Sequence, residues 1–519
     1  GLRFAVAHAK THRKKRIIFT SPLLSILDQN AKIIREFIGN DSIITEHHSN
    51  VALDEDNADE LKRAQLLTEN WSSPVIITTL VQLLDTLFAG KTSCIRRMHA
   101  LCGSVIVIDE VQTVPNEMLS LFNTAVNFLS EVCGATIVLC SATQPCLEQT
   151  AHPITENIKD IVPFDEELWR VFKRTQIIDK GGMRLDAIPA FIAEQLGTTD
   201  SLLVICNLKK QAAYLFTEMN LENTVIFHLS AGMCMAHRMS VISEINSALE
   251  RKRKNPDAPK VVCISTQVIE AGVDVSFGCV IRLCAGLDSV IQAAGRCNRN
   301  GELNGAADVF IINCRGEDLG MLRSIKDGKM ACMSLLSDCK YHPEKYPSGL
   351  TSDEAVYAYY KKLYIQSDIG AQDMPIKIDS SPFTLFDLLS LDRTFANAPY
   401  LKANGEKYAL TQAFKTAGSR FTVFGSRTTD VIVPYGEGKE IIAELGSKRA
   451  EEDIKYLKKL IKKARAYTVS LYENQRRALA DSGALHPIAD GIALALSEEF
   501  YNEAFGLNLD GESREAITL

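Results

Sequence analysis

The sequence predicts an α/β protein with two doubly wound, parallel-sheet domains, followed by a mixed, mostly helical C-terminal accessory domain. Three observations support this. Short apolar runs rich in β-branched residues alternate with longer stretches of helical periodicity, the alternation is repeated, and the pattern changes near residue 340. The length of 519 residues is enough for about three domains of ordinary size.

Composition excludes several classes of protein. Hydrophobic residues make up 46% and charged residues 23% of the chain, as in ordinary globular proteins. No apolar run approaches the roughly 18 residues that a membrane span needs. The net charge of −7 argues against a uniformly basic nucleic-acid-binding coat, so any contact with DNA must be local.

The 14 cysteines are scattered, without a C-x-x-C pair, and "CSATQPC" has the wrong spacing for a zinc knuckle. Many lie in apolar runs such as "VVCIST", which predicts buried free thiols in a reducing compartment. Since no signal peptide precedes the first residues, we expect a cytoplasmic protein.

The first domain is predicted over residues 1–178. "GLRFAVAHAK" resembles the middle of an amphipathic helix, so the start looks like a cut. Four buried parallel strands are then predicted, each ending in a small or polar residue: "KRIIFTSP", "PVIITT", "SVIVIDE" and "TIVLCSAT". In such sheets ligands bind beyond the carboxyl ends of the strands, so the chemistry is expected there.

The second domain is predicted over residues 179–338, with strands at "SLLVICN", "NTVIFHLS", "KVVCIST" and "GCVIRLC". The paired glycines of "QIIDKGGMRLDAI" predict an interdomain link before it.

Residues 339–519 are predicted to form a linker and an accessory domain. "SDEAVYAYYKKLYIQ" predicts a helix, "SRFTVFGSRTTDVIVPYGEGKE" a small antiparallel hairpin, and "EEDIKYLKKLIKKARAYTVSLYENQRRAL" a long basic amphipathic helical stretch.

"FAGKTS", residues 88 to 93, contains the Gly-Lys-Thr that ends a phosphate-binding P-loop. The earlier glycine of that motif would fall on Asp85, whose charge would repel a triphosphate. The preceding run "TTLVQLLDTLF" has helical periodicity, whereas a P-loop follows a buried strand. We therefore interpret this segment as a helix end and loop.

The strongest local signal is "VIVIDEVQTVP", in which a buried strand ends in Asp109 and Glu110. In nucleotide-driven motors, an Asp at this place holds the Mg²⁺ of the bound nucleotide and a Glu orients or deprotonates the attacking water. Gln112 is a candidate sensor of the γ-phosphate. The alternative is a solvated pair of acids at a strand end.

Ser141 and Thr143 of "LCSATQP" follow the next strand and offer hydroxyls that can hydrogen-bond across to the acidic pair. Such a bond would couple hydrolysis to domain movement. The alternative is an ordinary turn after a strand.

In the second domain, "STQVIEAGVDVSF" is followed by "QAAGRCNRNG". Arg296 and Arg299 are three apart, so on a helix they would share a face and could reach a γ-phosphate as arginine fingers. A surface salt bridge is the alternative. Gly272 and Asp274 upstream, and Gly295 beside the arginines, favour the functional interpretation.

These four motifs, in this order, resemble the motor of superfamily 2 helicases. "SVIVIDEVQTVP", "STQVIEAGVDVSF", "IRLCAGLDSVIQAAGRCNRNG" and "HLSAGMCMAHR" are similar to the CRISPR-associated helicase-nucleases of type I systems, over most of residues 1 to 335. The C-terminal third fits more loosely, through features such as "EEFYNEAFGL".

The resemblance implies two RecA-like domains with ATP and Mg²⁺ bound between them, and 3′-to-5′ translocation along single-stranded DNA. It further implies recruitment by the RNA-guided surveillance complex, Cascade, and degradation of the DNA by an HD nuclease domain in cis or in trans. Asp109 and Glu110 match the Mg-ATP acids, and Arg296 and Arg299 the fingers. Gln292 stands beside the fingers, and Gly272 and Asp274 complete the nucleotide-binding set. Ser141 and Thr143 match the coupling motif. The positions that match strand contacts are Ser21, Pro22, Thr79, Gln82, Asn207 and Thr266.

Two expected parts of the family are not found in the sequence. The P-loop should lie just before the opening amphipathic helix, which leads us to expect it upstream of Gly1. No His, His-Asp, Asp array of a nuclease is found, and the close pair His47 and His48 is better explained as a polar loop than as a metal site. We expect a fragment of a longer gene product or a truncated protein.

Three basic runs occur, "HRKKR" at 12–16, "RKRK" at 251–254 and "KKLIKK" at 458–463. Each is more often a solvated face than a DNA track. The third, with Tyr467 and Tyr472 nearby, is the best candidate for a DNA or Cascade contact.

Two functions of different class stay open. One is an ATP-driven DNA motor of CRISPR interference; the other is a catalytically silent form that binds DNA or Cascade as a regulator. A motor from another superfamily 2 branch, such as repair or restriction, fits the wording "DEVQ" and "QAAGRCNRNG" less well.

Overall fold

The computed structural model describes most of the chain. The residues described are 1–22, 24–48, 66–155, 158–162, 167, 172–270, 272–320, 322–366, 372–378, 381–390, 412–423 and 428–509. Within these ranges, no helix is both long and apolar enough to cross a membrane.

The chain forms two compact units, each built from two separate stretches. Unit 1 consists of Gly1–Pro163 and Thr351–Gly425, and unit 2 of Phe164–Leu350 and Ser426–Leu519. This division by packing assigns one part of the C-terminal third to each unit. The three consecutive domains predicted over 1–178, 179–338 and 339–519 stay a prediction.

Unit 1 contains a five-stranded sheet of order β2-β3-β1-β4-β5 in which every pairing is parallel. Its strands are β1 Arg16–Ser21, β2 Ile44–His47, β3 Val75–Thr79, β4 Ser104–Ile108 and β5 Thr136–Leu139. All five residues of the interior strand β4 are buried, which explains why its sequence is apolar after Ser104. The predicted strands of this domain are confirmed.

Helices cover this sheet. They are α1 Leu2–Thr11, α2 Leu24–Ile38, α3 Leu80–Phe88, α4 Thr92–Arg96, α5 Met98–Leu101 and α6 Leu119–Glu131. Ala5 of α1 packs on Ile17, Val105 and Val107 of the strands beneath it.

Unit 2 contains a six-stranded sheet of order β6-β11-β10-β7-β9-β8, again with every pairing parallel. Its strands are β6 Thr175–Arg184, β7 Ser201–Ile205, β8 Thr224–Leu229, β9 Lys260–Ser265, β10 Cys279–Leu283 and β11 Ala307–Arg315. The covering helices are α7 Ile188–Leu196, α8 Lys209–Glu218, α9 Met235–Lys254, α10 Leu287–Ala294 and α11 Arg323–Tyr341.

Alternate residues of these strands pack into two different cores. Leu203 and Val261 belong to one core, and Leu202 and Val262 belong to the core on the opposite face. The period-2 alternation of side chains therefore buries both faces of the sheet. The α/β class with two doubly wound parallel sheets is confirmed.

The segment predicted as an interdomain link is instead a strand. Thr175–Arg184 forms β6 at the edge of the second sheet, in parallel register with β11. Gly181 adopts a φ of +71°, and the register between Ile311 and Asn313 shifts beside it. The paired glycines thus mark an irregularity at a sheet edge, which explains why they suggested a link.

After residue 341 the chain returns to unit 1 and then to unit 2. The elements that belong to unit 1 are α12 Asp353–Gln366, β12 Pro375–Ile378, β13 Ser381–Thr384, α13 Leu385–Leu389 and α14 Phe414–Arg420. The helix predicted for "SDEAVYAYYKKLYIQ" is confirmed as α12.

The last part of the chain adds a four-stranded mixed sheet of order β15-β14-β17-β16 to unit 2. Its elements are β14 Thr428–Ile432, α15 Gly438–Leu445, α16 Lys448–Glu452, α17 Ile454–Ala464, β15 Thr468–Tyr472, α18 Glu473–Asp481, β16 Leu485–Ile488 and β17 Ala493–Leu496. A short hairpin of β18 Tyr501–Asn502 and β19 Gly506–Leu507 follows.

Two predictions for this region are wrong. The described part of the predicted hairpin 419–440 holds one strand, β14, whose antiparallel partner is the distant β15. The predicted long helical stretch is interrupted by that same strand, because "TVSLY" combines β-branched residues with alternating burial. The strand was not predicted because helix α17 precedes it and helix α18 follows it, so the whole stretch has mainly helical periodicity.

All 14 cysteines are free, and most of them are buried. Burial raises the pKa of the Cys146 thiol to about 12, so it stays protonated and packs as a small apolar group. The prediction of buried free thiols is confirmed.

Candidate nucleotide and strand site

The acidic pair stands where β4 ends. The Asp109 backbone N–H donates to the carbonyl oxygen of Thr20 at 2.9 Å, which ties the first residue after β4 to the neighbouring strand β1. Glu110 adopts a left-handed backbone conformation with φ of +53°. Such a conformation is costly for a residue with a side chain and is found most often where function requires it.

The charge state of the pair favours a bound cation. Burial, and then the neighbouring Glu110 carboxylate, raises the pKa of Asp109. Two close carboxylates are a donor set that Mg²⁺ accepts, since this ion takes oxygen ligands and usually binds through one or two carboxylates together with phosphates. The residues present therefore fit a Mg-nucleotide.

A continuous set of hydrogen bonds joins the acidic pair to the S-A-T segment. The Gln112 side-chain amide donates to the Glu110 carboxylate, and the Ser141 hydroxyl donates to Gln112 Oε1 at 2.6 Å. Thr143 N–H in turn donates to Ser141 Oγ at 3.0 Å. Ser141 is thus connected to Glu110 through the side chain of Gln112, which forms a hydrogen bond with each of them.

The sequence did not reveal the partner of Thr143. The hydroxyl oxygens of Thr143 and Tyr360 lie 3.2 Å apart, and both residues are buried. Tyr360 lies on α12, which belongs to unit 1 although it follows all the strands of the unit 2 parallel sheet. No local motif marks Tyr360, because its significance depends on a partner 217 residues away.

The predicted strand-contacting residues of unit 1 lie at one sheet edge. Ser21 and Thr79 are paired at the carboxyl ends of β1 and β3, and Pro22 follows directly. Ser21 Oγ is buried and has no hydrogen-bond partner among the described residues. Thr79 caps α3 by accepting from the Gln82 N–H at 3.1 Å, and Gln82 Oε1 accepts from Arg97 Nη1 at 2.8 Å.

The corresponding residues of unit 2 follow β7 and β9, which are neighbours in the sheet. Asn207 is buried; its amide donates to the Cys284 carbonyl and to Glu317 Oε1, each at 3.0 Å. In this arrangement its side chain is part of the core of the unit. Thr266 is also buried, and its hydroxyl has no partner in the part of the chain described.

A buried ion pair that the sequence did not reveal lies behind these residues. Arg282 Nε and Glu270 Oε1 are 2.7 Å apart, and both side chains are almost inaccessible to solvent. Arg282 Nη1 also donates to Asn207 Oδ1 at 2.6 Å. Burial raises the pKa of Glu270 to about 7, although Arg282 acts in the opposite direction.

The two candidate arginine fingers do not lie on a helix. Helix α10 ends at Ala294, so both arginines follow it, and the prediction that they share a helical face is wrong. Arg296 is buried: its Nε donates to the Ile269 carbonyl at 3.0 Å and its Nη2 to the Glu270 carbonyl at 2.6 Å. Gly295 is the C-cap of the helix and keeps a right-handed backbone conformation.

Arg299 has a different environment. Its Nε lies 3.0 Å from Asp274 Oδ1, and both side chains are substantially exposed. Gly272 adopts a φ of +76°, which only glycine adopts easily, and so allows the turn that leads to Asp274. Gln292 is half-exposed near the end of α10. The structure thus places Asp274 beside Arg299. The two arginines differ in exposure, since Arg296 is buried and Arg299 is exposed.

"FAGKTS" is no phosphate loop in this fold. Asp85 lies within helix α3, which ends at Phe88, and Thr92 begins α4. A P-loop needs a strand in front of it, so the interpretation as a helix end and loop is confirmed.

His47 and His48 have structural partners. Trp71 Nε1 donates to His47 Nδ1 at 3.1 Å, and burial lowers the pKa of His47 to about 4. His48 Nε2 lies 3.2 Å from Glu46 Oε2. Among the residues that the structure describes, no group of three or more potential ligands is arranged to hold a metal ion.

Two segments that carried the family resemblance contact each other in unit 2. His237 of "HLSAGMCMAHR" lies 2.9 Å from the Tyr501 hydroxyl, and Leu507 N–H donates to the Gly232 carbonyl at 2.8 Å. Gly506 has a φ of +78°, and a Cβ there would collide with the Gly232 backbone. The short C-terminal hairpin is therefore fitted to this motif.

Comparison with known proteins agrees with these observations. Residues 198–302 match the family model described as CRISPR-associated nuclease/helicase Cas3, C-terminal. A CRISPR-associated nuclease/helicase Cas3 of Haloferax volcanii is 25% identical over 387 residues, covering 55% of this chain and 41% of the relative. The corresponding protein of Methanothermobacter thermautotrophicus is 24% identical over 326 residues, covering 57% and 37%. These alignments therefore span less than half of each relative.

Solved structures show the same fold. T. fusca Cas3 with AMPPNP superposes with a TM-score of 0.55 at 16% identity, covering 83% of this chain and 55% of that one. A chain of a CRISPR RNA-guided surveillance complex before nicking superposes with a TM-score of 0.55 at 14% identity. The match covers 98% of this chain and 66% of that one. At these identities the likeness establishes the fold. Taken with the family model and the curated relatives, it agrees with the resemblance that the motifs predicted: the chain is similar to helicases of the Cas3 type.

Proposed function

We propose that this chain is the motor part of an ATP-dependent translocase that moves 3′ to 5′ along single-stranded DNA during type I CRISPR interference. The observation that carries the proposal is the hydrogen-bonded connection from Glu110 through Gln112 to Ser141, which ends at a buried contact with Tyr360. Such a connection lets the hydrolytic site act on the conformation of a neighbouring segment, as a motor requires.

The acids and one arginine perform the chemistry in this proposal. Mg²⁺ bound with ATP would neutralise phosphate charge, and Asp109 is the residue that would hold it. Glu110 orients and deprotonates the attacking water, with its carboxylate fixed by Gln112. Arg299 is exposed and can exchange Asp274 for a phosphate, whereas Arg296 is held by two backbone carbonyls. We therefore assign Arg299 as the finger and Arg296 as the residue that positions its loop.

Strand binding uses the carboxyl edges of the two sheets. Ser21 and Thr266 each present a buried hydroxyl with no partner in the described chain. In unit 1, Ser21 is paired with Thr79 and followed by Pro22, two of the other predicted contacts. Hydroxyl and amide groups suit contacts to phosphates and sugars, which carry no sequence information. The Asn207 side chain accepts a hydrogen bond from Arg282 and so helps to position it. We propose that Asn207 contacts the DNA strand only through its backbone.

The proposed partners follow from the type of protein. Recruitment by a surveillance complex is supported by the match to a chain in such an assembly. An HD nuclease domain, in cis or in trans, would degrade the translocated strand in the cytoplasm.

Stimulation of ATP hydrolysis by single-stranded DNA tests the proposal. The chain is measured beside a form extended upstream to include a P-loop, each with and without an oligothymidine strand. We expect stimulated hydrolysis in the extended form, and loss of about 10²- to 10⁴-fold in its Glu110→Gln variant. Binding of DNA or of the surveillance complex with no hydrolysis in either form would contradict the motor and support the silent regulator.

A further inference from the structure

The basic runs at 251–254 and 458–463 differ in whether acidic side chains neutralise their charges. The run at 251–254 ends helix α9, and three of its four residues are paired with acids. Lys252 lies 3.3 Å from Asp200, Arg253 lies 3.0 Å from Glu302, and Lys254 lies 2.6 Å from Glu250. This surface therefore has little charge left for another molecule.

Helix α17 presents a different basic surface. Lys455, Lys458, Lys459 and Lys463 are exposed on it, and we refer to these four residues as the lysine face. None of the four side chains forms a hydrogen bond or an ion pair with any residue that the structure describes. The opposite side of the helix is fixed, because Leu460 and Ala464 are buried in a core with neighbouring elements.

The lysine face works against the stability of its own helix. Lys455 and Lys459, and Lys459 and Lys463, are four residues apart, and like charges at this spacing repel each other. The chain carries 64 acidic residues against 57 basic ones, so acids to neutralise the face are plentiful elsewhere in the sequence. An unneutralised row on a rigidly packed helix is a surface arranged for an external anion.

We propose that the lysine face binds the phosphate backbone of a nucleic-acid strand. The proposal adds a contact surface to the function proposed above, and rests on it in taking a strand as the ligand. Lys455, Lys459 and Lys463 follow one another at intervals of about 6 Å along the helix, from its rise per residue. A straight row of compact ammonium charges suits a linear polyanion.

An acidic protein surface is the less suitable ligand. Lysine is depleted at protein–protein interfaces, where binding energy comes mainly from aromatic and arginine side chains in desolvated pockets. The four exposed lysines keep their charges in water, which matches the counterion-release binding of nucleic acids.

The salt dependence of strand binding tests the proposal without any need for ATP. Fluorescence anisotropy measures the affinity of the chain for a labelled oligothymidine between 50 and 200 mM salt. The test variant is Lys455→Gln/Lys459→Gln/Lys463→Gln. The control is Arg253→Gln/Lys254→Gln/Lys439→Gln, which removes the same charge from exposed residues that are ion-paired. Circular dichroism verifies that both variants are folded.

We expect the test variant to bind at least about tenfold more weakly at 50 mM salt, with a log–log salt slope smaller by about 2, since each strand phosphate contributes about 0.7. The control should stay within about twofold of the unmodified chain. Equal slopes for test and control would overturn the inference. Unchanged strand binding with lost binding to a surveillance complex would assign the face to a protein and overturn it too. No strand binding by the unmodified chain would overturn both this inference and the proposed function.

Discussion

The hydroxyl oxygens of Thr143 and Tyr360 lie 3.2 Å apart in the interior of unit 1. Thr143 belongs to the S-A-T segment that meets the acidic pair through Ser141 and Gln112, and Tyr360 lies on helix α12. A change at the acids can therefore be transmitted to a helix that enters the unit from a distant part of the sequence. This contact gives the proposed coupling role of the S-A-T segment a physical partner.

The Tyr360→Phe substitution tests that role, because it removes one hydroxyl and keeps the ring. We expect strand-stimulated ATP hydrolysis by the extended form to fall about 3- to 10-fold, corresponding to a buried hydrogen bond of about 1 kcal/mol. The KM for ATP should stay unchanged, since Tyr360 is not proposed to contact the nucleotide. Steady-state kinetics with and without a strand supply both values.

Tyr357→Phe is the matched control, because Tyr357 lies on the same helix with its side chain partly exposed. Hydrogen exchange of residues 140–147 should increase in Tyr360→Phe and not in Tyr357→Phe. Equal kinetics and equal exchange in the two variants would show that the contact does not couple anything.

Asp109→Asn should stabilise the fold at neutral pH while abolishing hydrolysis. Burial and Glu110 raise the pKa of Asp109, so the folded chain holds this proton more tightly than the unfolded chain. The stability that Asp109 contributes is then present at low pH and lost as the pH rises through its folded-state pKa. The unfolding midpoint of the variant should exceed that of the unmodified chain at pH 7 to 8.

The difference in unfolding midpoint between the Asp109→Asn variant and the unmodified chain should shrink towards pH 4, because the ordinary pKa of an aspartate is about 3.9. Thermal unfolding of both proteins across this range is the measurement. A difference that does not change with pH would mean that the substitution acts through packing and not through the charge of Asp109.

Arg282→Met should destabilise unit 2 by about 3–5 kcal/mol, because it leaves the buried Glu270 without its counter-charge. The double variant Glu270→Gln/Arg282→Met should recover part of that loss, since no uncompensated charge remains. Chemical denaturation gives the three free energies of unfolding. A double variant as unstable as the single one would show that the bond of Arg282 to Asn207 matters more than the ion pair.

Arg299→Gln and Arg296→Gln should affect different properties. Arg299 forms an exposed ion pair worth about 0–1 kcal/mol, so its variant should keep its unfolding midpoint and lose about 10³-fold in stimulated hydrolysis. Arg296→Gln removes two buried bonds to carbonyls and should lower the unfolding midpoint. Loss of hydrolysis in Arg296→Gln without loss of stability would return Arg296 to the role of a finger.

Sequence patterns predicted most strands of the two sheets, because strands buried on both faces have a distinctive composition, although β2 and β11 were not predicted. Strands such as β4 and β9 consist mainly of β-branched and apolar residues, and a polar residue of a predicted motif, Asp109 or Thr266, follows directly. The edge strand β6 was missed because it is half-exposed and contains Gly181 and Gly182, so its composition is that of a loop.

The residues of the candidate site were predicted one at a time, and the only connection predicted among them was the one between the S-A-T segment and the acidic pair, which runs through Gln112. Asp109, Glu110, Ser141 and Arg299 can be found from motifs because each follows a predicted element. Tyr360 and the pair of Glu270 with Arg282 acquire their roles from partners that only the folded chain brings near. The burial of Arg296 was equally unpredictable, since the helix that would have exposed it ends at Ala294.

Displacement of streptavidin from biotinylated single strands tests the central claim, directional movement along DNA, most directly. The form extended to include a P-loop is mixed with ATP and a strand that carries biotin at either its 5′ or its 3′ end. The proposed motor predicts ATP-dependent displacement from the 5′ end only, and none in the Glu110→Gln variant. Stable binding to both strands without displacement from either would contradict the motor.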